Sequence, residues 1–273
     1  MKRPANKRPH GQIRQSQIVT TFGPGALLDL PNHSVIVGGL DDWNGVSEEV
    51  HEARLVEKVI KLLEIPGLKL YAPPPDNEDP TAPVTGIRAW QFPEWFITQD
   101  VMDAGKPGGM RSRLLVHRKA LTKGRFIDAD KNKRAVVPIR FVRACRRGHI
   151  GDIDWFGFVH RDKQCRRQLW IDERGTTGDI SEIHIRCECG EERSVGDAAF
   201  LKNKALLGNC DGFLTWLGPY SREQCGEPNR LLVRSASNAY FPQKLTVISL
   251  PDRYELLTQA VTQEWTLYLQ KVD

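Results

Sequence analysis

The segment from Arg143 to Cys165, "RACRRGHIGDIDWFGFVHRDKQC", holds Cys145, His149, His160 and Cys165 in nearly mirror-image spacing. Thiols and imidazoles this close together bind a metal, join in disulfides, or act as nucleophile and base, and each use folds the chain back on itself. The N-terminus, "MKRPANKRPHGQIRQSQ", lacks the apolar centre of a secretory signal. The chain is therefore expected in a reducing cytosol, where metal binding is favoured over disulfides for its six cysteines. A Cys145–His149 nucleophile pair lacks an identifiable orienting Asn or Asp and an oxyanion element.

Tetrahedral zinc takes four nitrogen or sulfur ligands, which usually arrive in pairs on tight turns. "CRRGH" supplies Cys145 and His149, with a glycine to reverse the chain, and "HRDKQC" supplies His160 and Cys165. Between them "IGDIDWFGFV" is long enough for a returning strand, which makes a Cys2His2 site of these four. A second set lies downstream: Cys187 and Cys189 in "CECG", Cys210 in "GNCDG" and Cys225 in "EQCGE". Together the sets use every cysteine. A single ribbon of Cys145, Cys165, Cys187 and Cys189 is the competing arrangement, and unligated cysteines are the plain alternative.

A different chemistry is open to the same stretch. His149, Asp152, Asp154 and His160 could hold magnesium or manganese in a hydrolytic, nuclease-like centre. Against it, strand alternation in "GDIDW" would turn both aspartates to one exposed face, or leave them orienting the histidines.

The net charge of +5 is unevenly distributed. Residues 111–147 contain 13 Lys/Arg and 2 Asp/Glu, residues 1–15 add 5 positives and no acid, and the remainder is net acidic. Such segregation favours a polyanion, of which nucleic acid is the commonest in a cytosol, over a merely solvated face. The expected phosphate contacts are Arg111, Arg113, Arg118, Lys119, Lys123, Arg125, Lys131, Lys133 and Arg134. No run of about 18 apolar residues exists, so no membrane-spanning helix is expected, and no small-molecule substrate is apparent.

Residues 1–15 are expected to be a disordered basic arm, 16–135 an α+β region with Pro-rich and basic loops, and 136–273 a Cys/His region ending in a helix. "SVIVGGL" is expected to be a strand and "FGPG" a plain turn. Glu48 to Ile65 forms a helix with Val56, Val59, Ile60 and Leu63 on one core-facing side. "AVVPIRFVRAC", "RQLWI" and "EIHIRC" are expected strands. "DAAFLKNKALLG" is a short helix, and Asp252 to Leu269 a final one. Trp90, Phe92, Trp95 and Phe96 are core or partner-facing rather than base-stacking. The fold class expected is α+β: an irregular mixed sheet with flanking helices and one or two zinc-ribbon-like, Cys/His-stapled hairpins.

Five blocks in this order, "QIVTTFGPGALLDL", "RFVRACRRGHIGDIDWFGFVH", "CECGEERSV", a Cys-Asp-Gly followed by "WLGP", and "ASNAYFP", resemble the DrmB family of the bacterial DISARM anti-phage system. The resemblance spans about residues 12–250. It implies a subunit that works with a DrmA-like helicase in a complex engaging invading DNA, with no catalytic residues of its own. Members of that family often carry CxxC where this chain has Cys187-Glu188-Cys189, and they continue beyond this length. The remaining function classes are a metal-dependent nuclease on His149, Asp152, Asp154 and His160, and a protein–protein adaptor using the Trp90–Phe96 aromatics.

Overall fold

The computed structural model describes residues 13–30, 33–77, 79, 81–101, 111–161, 164–175, 177–200, 206–218, 220–236, 239–248 and 255–265. Most of the expected basic arm lies outside them. Gln15 opens helix α1 (Gln15–Thr20), where the Gln17 side chain accepts the Arg14 N–H at 3.0 Å. The "FGPG" segment is a turn: Gly25 sits at φ 84, and its N–H donates to the Val37 carbonyl at 2.9 Å rather than facing an anion. That turn leads into β1 (Leu27–Leu30) and its antiparallel partner β2 (His33–Val37).

After β3 (Trp43–Asn44), helix α2 runs over Ala53–Leu63, shorter than expected from periodicity. Its start is delayed because Glu49 pairs with Tyr71 and the Val50 N–H donates to the Leu70 carbonyl at 2.8 Å. Glu64, in the left-handed region at φ 57, ends it. Val56, Val59 and Ile60 are only half-buried and Leu63 is 52% exposed, so the stripe is not the core.

The next strands are β4 (Gly86–Ile87), β5 (Ala89–Gln91), β6 (Trp95–Thr98), β7 (Arg111–His117), β8 (Leu121–Thr122) and β9 (Arg125–Ile127). "AVVPIRFVRAC" does not form one strand but two, β10 (Lys133–Pro138) and β11 (Phe141–Ala144). Pro138 has no N–H to extend the ladder, and the chain passes there from one sheet to another. Then come β12 (Ile150–Gly151), helix α3 (Trp155–His160), β13 (Leu169–Glu173), β14 (Ile183–Cys187), β15 (Glu192–Ser194), β16 (Arg230–Val233) and helix α4 (Glu255–Trp265). Helix α4 lies inside the expected 252–269, whose remaining residues are outside those described. Of the expected short helix after Gly196, Val195–Ala199 make one 3-10 turn and 201–205 lie outside the described residues.

The fold is α+β, built mostly of antiparallel sheet. One sheet has eight strands in the order β15-β14-β13-β7-β6-β10-β9-β8; two have three, β1-β2-β5 and β12-β11-β16; and β3-β4 form a pair. Period-two alternation puts Ile183, Ile185 and Cys187 of β14 inward and leaves His184 and Arg186 half-exposed. Those inward residues pack with Trp95, Leu115, Phe141, Trp155 and Phe158 in the main core. Phe92, Trp95 and Phe96 are 4%, 8% and 2% exposed, which assigns these aromatics to the core and removes them as an adaptor surface.

The described residues fall into two compact units, each assembled from two stretches of chain: 1–48 with 73–242, and 49–72 with 243–273. Both Cys/His regions belong to the first. Among the described residues, no helix is long and apolar enough to cross a membrane.

Candidate metal centres

Strand β11 is the middle strand of its sheet, and this determines which residues meet at the first cluster. On one side it turns into β12 through Cys145-Arg146-Arg147-Gly148-His149. The Cys145 N–H donates to the His149 carbonyl at 3.0 Å, and Gly148 takes φ 87 to close the turn. On the other side β16 pairs with it, Ala144 opposite Arg230, and delivers the segment that precedes β16. That segment is itself a ribbon. Asn209 bridges Pro228, Phe213 bridges Arg222, and the Cys210 N–H donates to the Glu227 carbonyl at 2.8 Å. Cys145, His149, Cys210 and Cys225 consequently bring their ligand atoms within 4.8 Å of one another.

The second cluster forms where β13 starts and β14 ends. Leu169 stands opposite Cys187, so Cys165, just before β13, reaches Cys187 with the two sulfurs 3.7 Å apart. The β14–β15 turn then carries Cys189, with Gly190 at φ 97 and its N–H on the Cys187 carbonyl at 3.0 Å. His160 comes from the end of α3, its Nε2 3.2 Å from the Cys189 sulfur. His160, Cys165, Cys187 and Cys189 likewise lie within 4.8 Å of one another.

All eight expected Cys and His residues are therefore brought together, but in groupings different from those suggested by chain order. The Cys2His2 set of Cys145, His149, His160 and Cys165 is split, as are Cys187/Cys189 and Cys210/Cys225, and the single-ribbon set is not formed either. The cause is α3. Only the first two residues of "IGDIDWFGFV" return as strand β12; Asp154 then caps a helix by accepting the Gly157 N–H at 3.1 Å, and Trp155, Phe158 and Val159 bury one helical face. The helix carries His160 away from His149 and toward β14.

Asp152 and Asp154 do not join the histidines. Asp154 is occupied as that cap, and both Asp152 carboxylate oxygens accept the Glu94 N–H, at 3.1 and 3.2 Å. The four-residue hydrolytic centre is therefore not assembled.

The electrostatics suit cation binding. His149 directs Nδ1 to the Cys145 sulfur at 3.3 Å, and its Nε2–H donates to Glu223 at 2.9 Å. His160 directs Nε2 to Cys189, and its Nδ1–H donates to the Phe156 carbonyl at 2.9 Å. In both, the outer ring nitrogen is held by an oxygen acceptor, which fixes the tautomer and leaves the inner nitrogen free to ligate. The cysteines are all free thiols. Burial pushes the Cys187 thiol up to about 11 and the Cys210 thiol up to about 12. The Cys189 thiol is drawn down to about 6, first by the Glu191 N–H, and the Cys225 thiol is lowered first by the Glu227 N–H. Thiols crowded this way, some resisting ionisation and others favouring it, are accommodated together by a bound cation that stabilises every thiolate. These groups can hold a metal.

Glu223 was not anticipated from sequence. Its only signal is its place two residues before Cys225. The basic residues separate into two sets. Arg113 pairs with Glu173 at 2.6 Å, Arg118 with Glu94 at 3.0 Å, and Arg134 with Asp128 and Asp100 at 2.7 and 3.4 Å. Arg111, Lys119, Lys123, Arg125, Lys131 and Lys133 are exposed and form no ion pair among the described residues. Five of them sit at the β8–β9–β10 end of the large sheet and Arg111 opens β7.

The fold and its two Cys3His groups define an antiparallel α+β protein with paired metal-competent clusters. The chain belongs to the family described as domain of unknown function DUF8724, which matches residues 14–241. It is also 30% identical over 120 residues to the DISARM protein DrmB of Bacillus paralicheniformis, an alignment covering 42% of this chain and 20% of that protein. The chain thus spans about one fifth of the length of the curated relative it matches.

Proposed function

We propose that this chain is a cytosolic, zinc-stapled, non-catalytic subunit of a DISARM-like anti-phage assembly, one that binds DNA electrostatically beside a helicase partner. The similarity to DrmB carries the defence context. The chemistry of the clusters supports the structural role: three thiolates and one imidazole suit zinc, and four protein ligands close the tetrahedron. Cys145, His149, Cys210 and Cys225 would hold one ion, and His160, Cys165, Cys187 and Cys189 the other. Zinc bound there supplies cross-linking of loops, and a closed site leaves no position for a catalytic water.

The DNA contacts are assigned to Arg111, Lys119, Lys123, Arg125, Lys131 and Lys133, with residues 1–15 adding further positive charge. Arg113, Arg118 and Arg134 are already engaged with carboxylates and contribute less. The test is a pair of measurements on the purified chain. Elemental analysis is expected to give two zinc ions per chain. Binding to an oligonucleotide duplex is expected to weaken steeply with salt, by a log–log slope of about 0.7–0.9 per phosphate contact. Absence of zinc together with salt-insensitive binding would overturn the proposal, and DNA cleavage in Mg²⁺ or Mn²⁺ would replace it with an enzyme.

A further inference from the structure

A cleft of about 520 Å³ lies beside the first cluster, within the size range of small-molecule sites. Among the residues that line it are Trp90, Phe213, Arg118, Arg222, Asp152 and Thr215. Thr215 is 6% exposed, and its hydroxyl has no hydrogen-bond partner among the described residues. A buried hydroxyl left without a partner costs free energy unless something fills that role. Arg222 stacks over Phe213, 5.7 Å from the ring centroid, with no carboxylate partner among the described residues. Phe213 and Arg222 bridge each other on the ribbon between Cys210 and Cys225, so the loop that the first cluster ties down is also a wall of the cleft.

Aromatic faces, a guanidinium with no carboxylate partner among the described residues, and donors beside acceptors match one ligand chemistry. A nucleobase presents a flat face for stacking and an edge carrying both donors and acceptors, and its phosphate suits a guanidinium. An apolar peptide anchor would leave the Thr215 hydroxyl without a partner, and a bare anion would leave the rings unused.

We propose that this cleft receives a nucleotide with its base unstacked, the base lying against Trp90 and Phe213 with its edge toward Thr215 and Asp152, and the phosphate on Arg222. The nucleotide comes from a DNA single strand or from solution. In its strand-borne form this rests on the DNA-binding reading above. Burial raises the Asp152 carboxyl to about 7, so near neutrality it can donate as well as accept.

The test uses the full chain with metal bound and two probes: a deoxythymidine 12-mer carrying one 2-aminopurine, and free 2-aminopurine nucleoside monophosphate. Stacking in the cleft is expected to change 2-aminopurine fluorescence. Arg222→Ala and Phe213→Leu are each expected to weaken probe binding about fivefold to a hundredfold and to abolish the fluorescence change. Thr215→Val, which keeps the shape, is expected to weaken it by a smaller factor, with unchanged melting temperature. Response of the 12-mer alone supports a strand-borne base, and response of both probes supports a nucleotide from either source. Response of the free nucleotide without strand binding supports the cleft and sinks the DNA reading. Salt-sensitive strand binding with silent fluorescence, unchanged in Arg222→Ala and Phe213→Leu, overturns the cleft and leaves the DNA reading standing. A partner-derived peptide that saturates the cleft while neither probe responds also overturns it.

Discussion

The His149 imidazole is held from behind by Glu223, its Nε2 2.9 Å from the carboxylate, while Nδ1 faces the Cys145 sulfur at 3.3 Å. Arg147 anchors the same carboxylate at 2.7 Å. Glu223 thus raises the basicity of a proposed ligand and fixes its ring. Glu223→Ala should lower metal affinity at the first cluster by about 10- to 100-fold. Glu223→Gln, which can still accept the ring N–H, should lose less. The second cluster, whose His160 is oriented by the Phe156 carbonyl, should not change. Chelator competition resolved into two phases measures both sites at once.

Ligand grouping can be read from pairs of substitutions. Because Cys145 and Cys210 share one cluster, Cys145→Ser with Cys210→Ser should leave one ion per chain. Cys145 and Cys165 belong to different clusters, so Cys145→Ser with Cys165→Ser should leave none. Grouping by nearness in the chain makes the opposite forecast for both doubles. Elemental analysis of the two proteins therefore decides between them.

The candidate ligands were legible in the sequence because sulfur and imidazole on glycine turns advertise their chemistry whatever the fold. Their partition was not, because it depends on β16 pairing with β11 and on β13 pairing with β14, both long-range choices. Local signals also competed within "GDIDWFGFV": period-two alternation suggested a strand, but an Asp cap followed by Trp155, Phe158 and Val159 specifies a helical face. Strand β14 was plain from "EIHIRC" because its alternation continues into the buried Cys187. Charge excess over 111–147 was visible too, but not which cations are neutralised. The carboxylates of Glu94, Asp100 and Glu173 that pair with them lie outside that segment.

That division of the cations gives a DNA-binding prediction. Lys123→Gln, Arg125→Gln and Lys133→Gln together remove three exposed charges and should reduce the log–log salt slope by about 2 to 3, with little change in melting temperature. Arg134→Gln breaks the pair with Asp128, in which both side chains are largely buried. It should lower the melting temperature while leaving the slope nearly intact. Fluorescence anisotropy over a salt series, run beside thermal melts, separates the two classes. Equal slopes for the triple variant and the parent would show that DNA runs elsewhere.

Asp152 should leave a signature in stability against pH. Burial raises its carboxyl to about 7, although the Glu94 N–H bonds to the ionised form and pulls the other way. An unfolded Asp titrates near 3.9, so between about pH 4 and 7 the folded chain keeps a proton that the unfolded chain has lost. Stability from this group is present in acid and declines as pH rises through that window, by at most about 1.4 kcal/mol per pH unit. Above about 7 both states are ionised and the penalty is constant. Asp152→Asn cannot ionise, so the stability of the variant minus that of the parent should grow from pH 4.5 to 7 and then level off. Titration of the cysteines in the two clusters affects both proteins alike and cancels in this difference. Denaturant melts across the range measure it, and a gap that does not vary with pH would mean that Asp152 is ionised throughout.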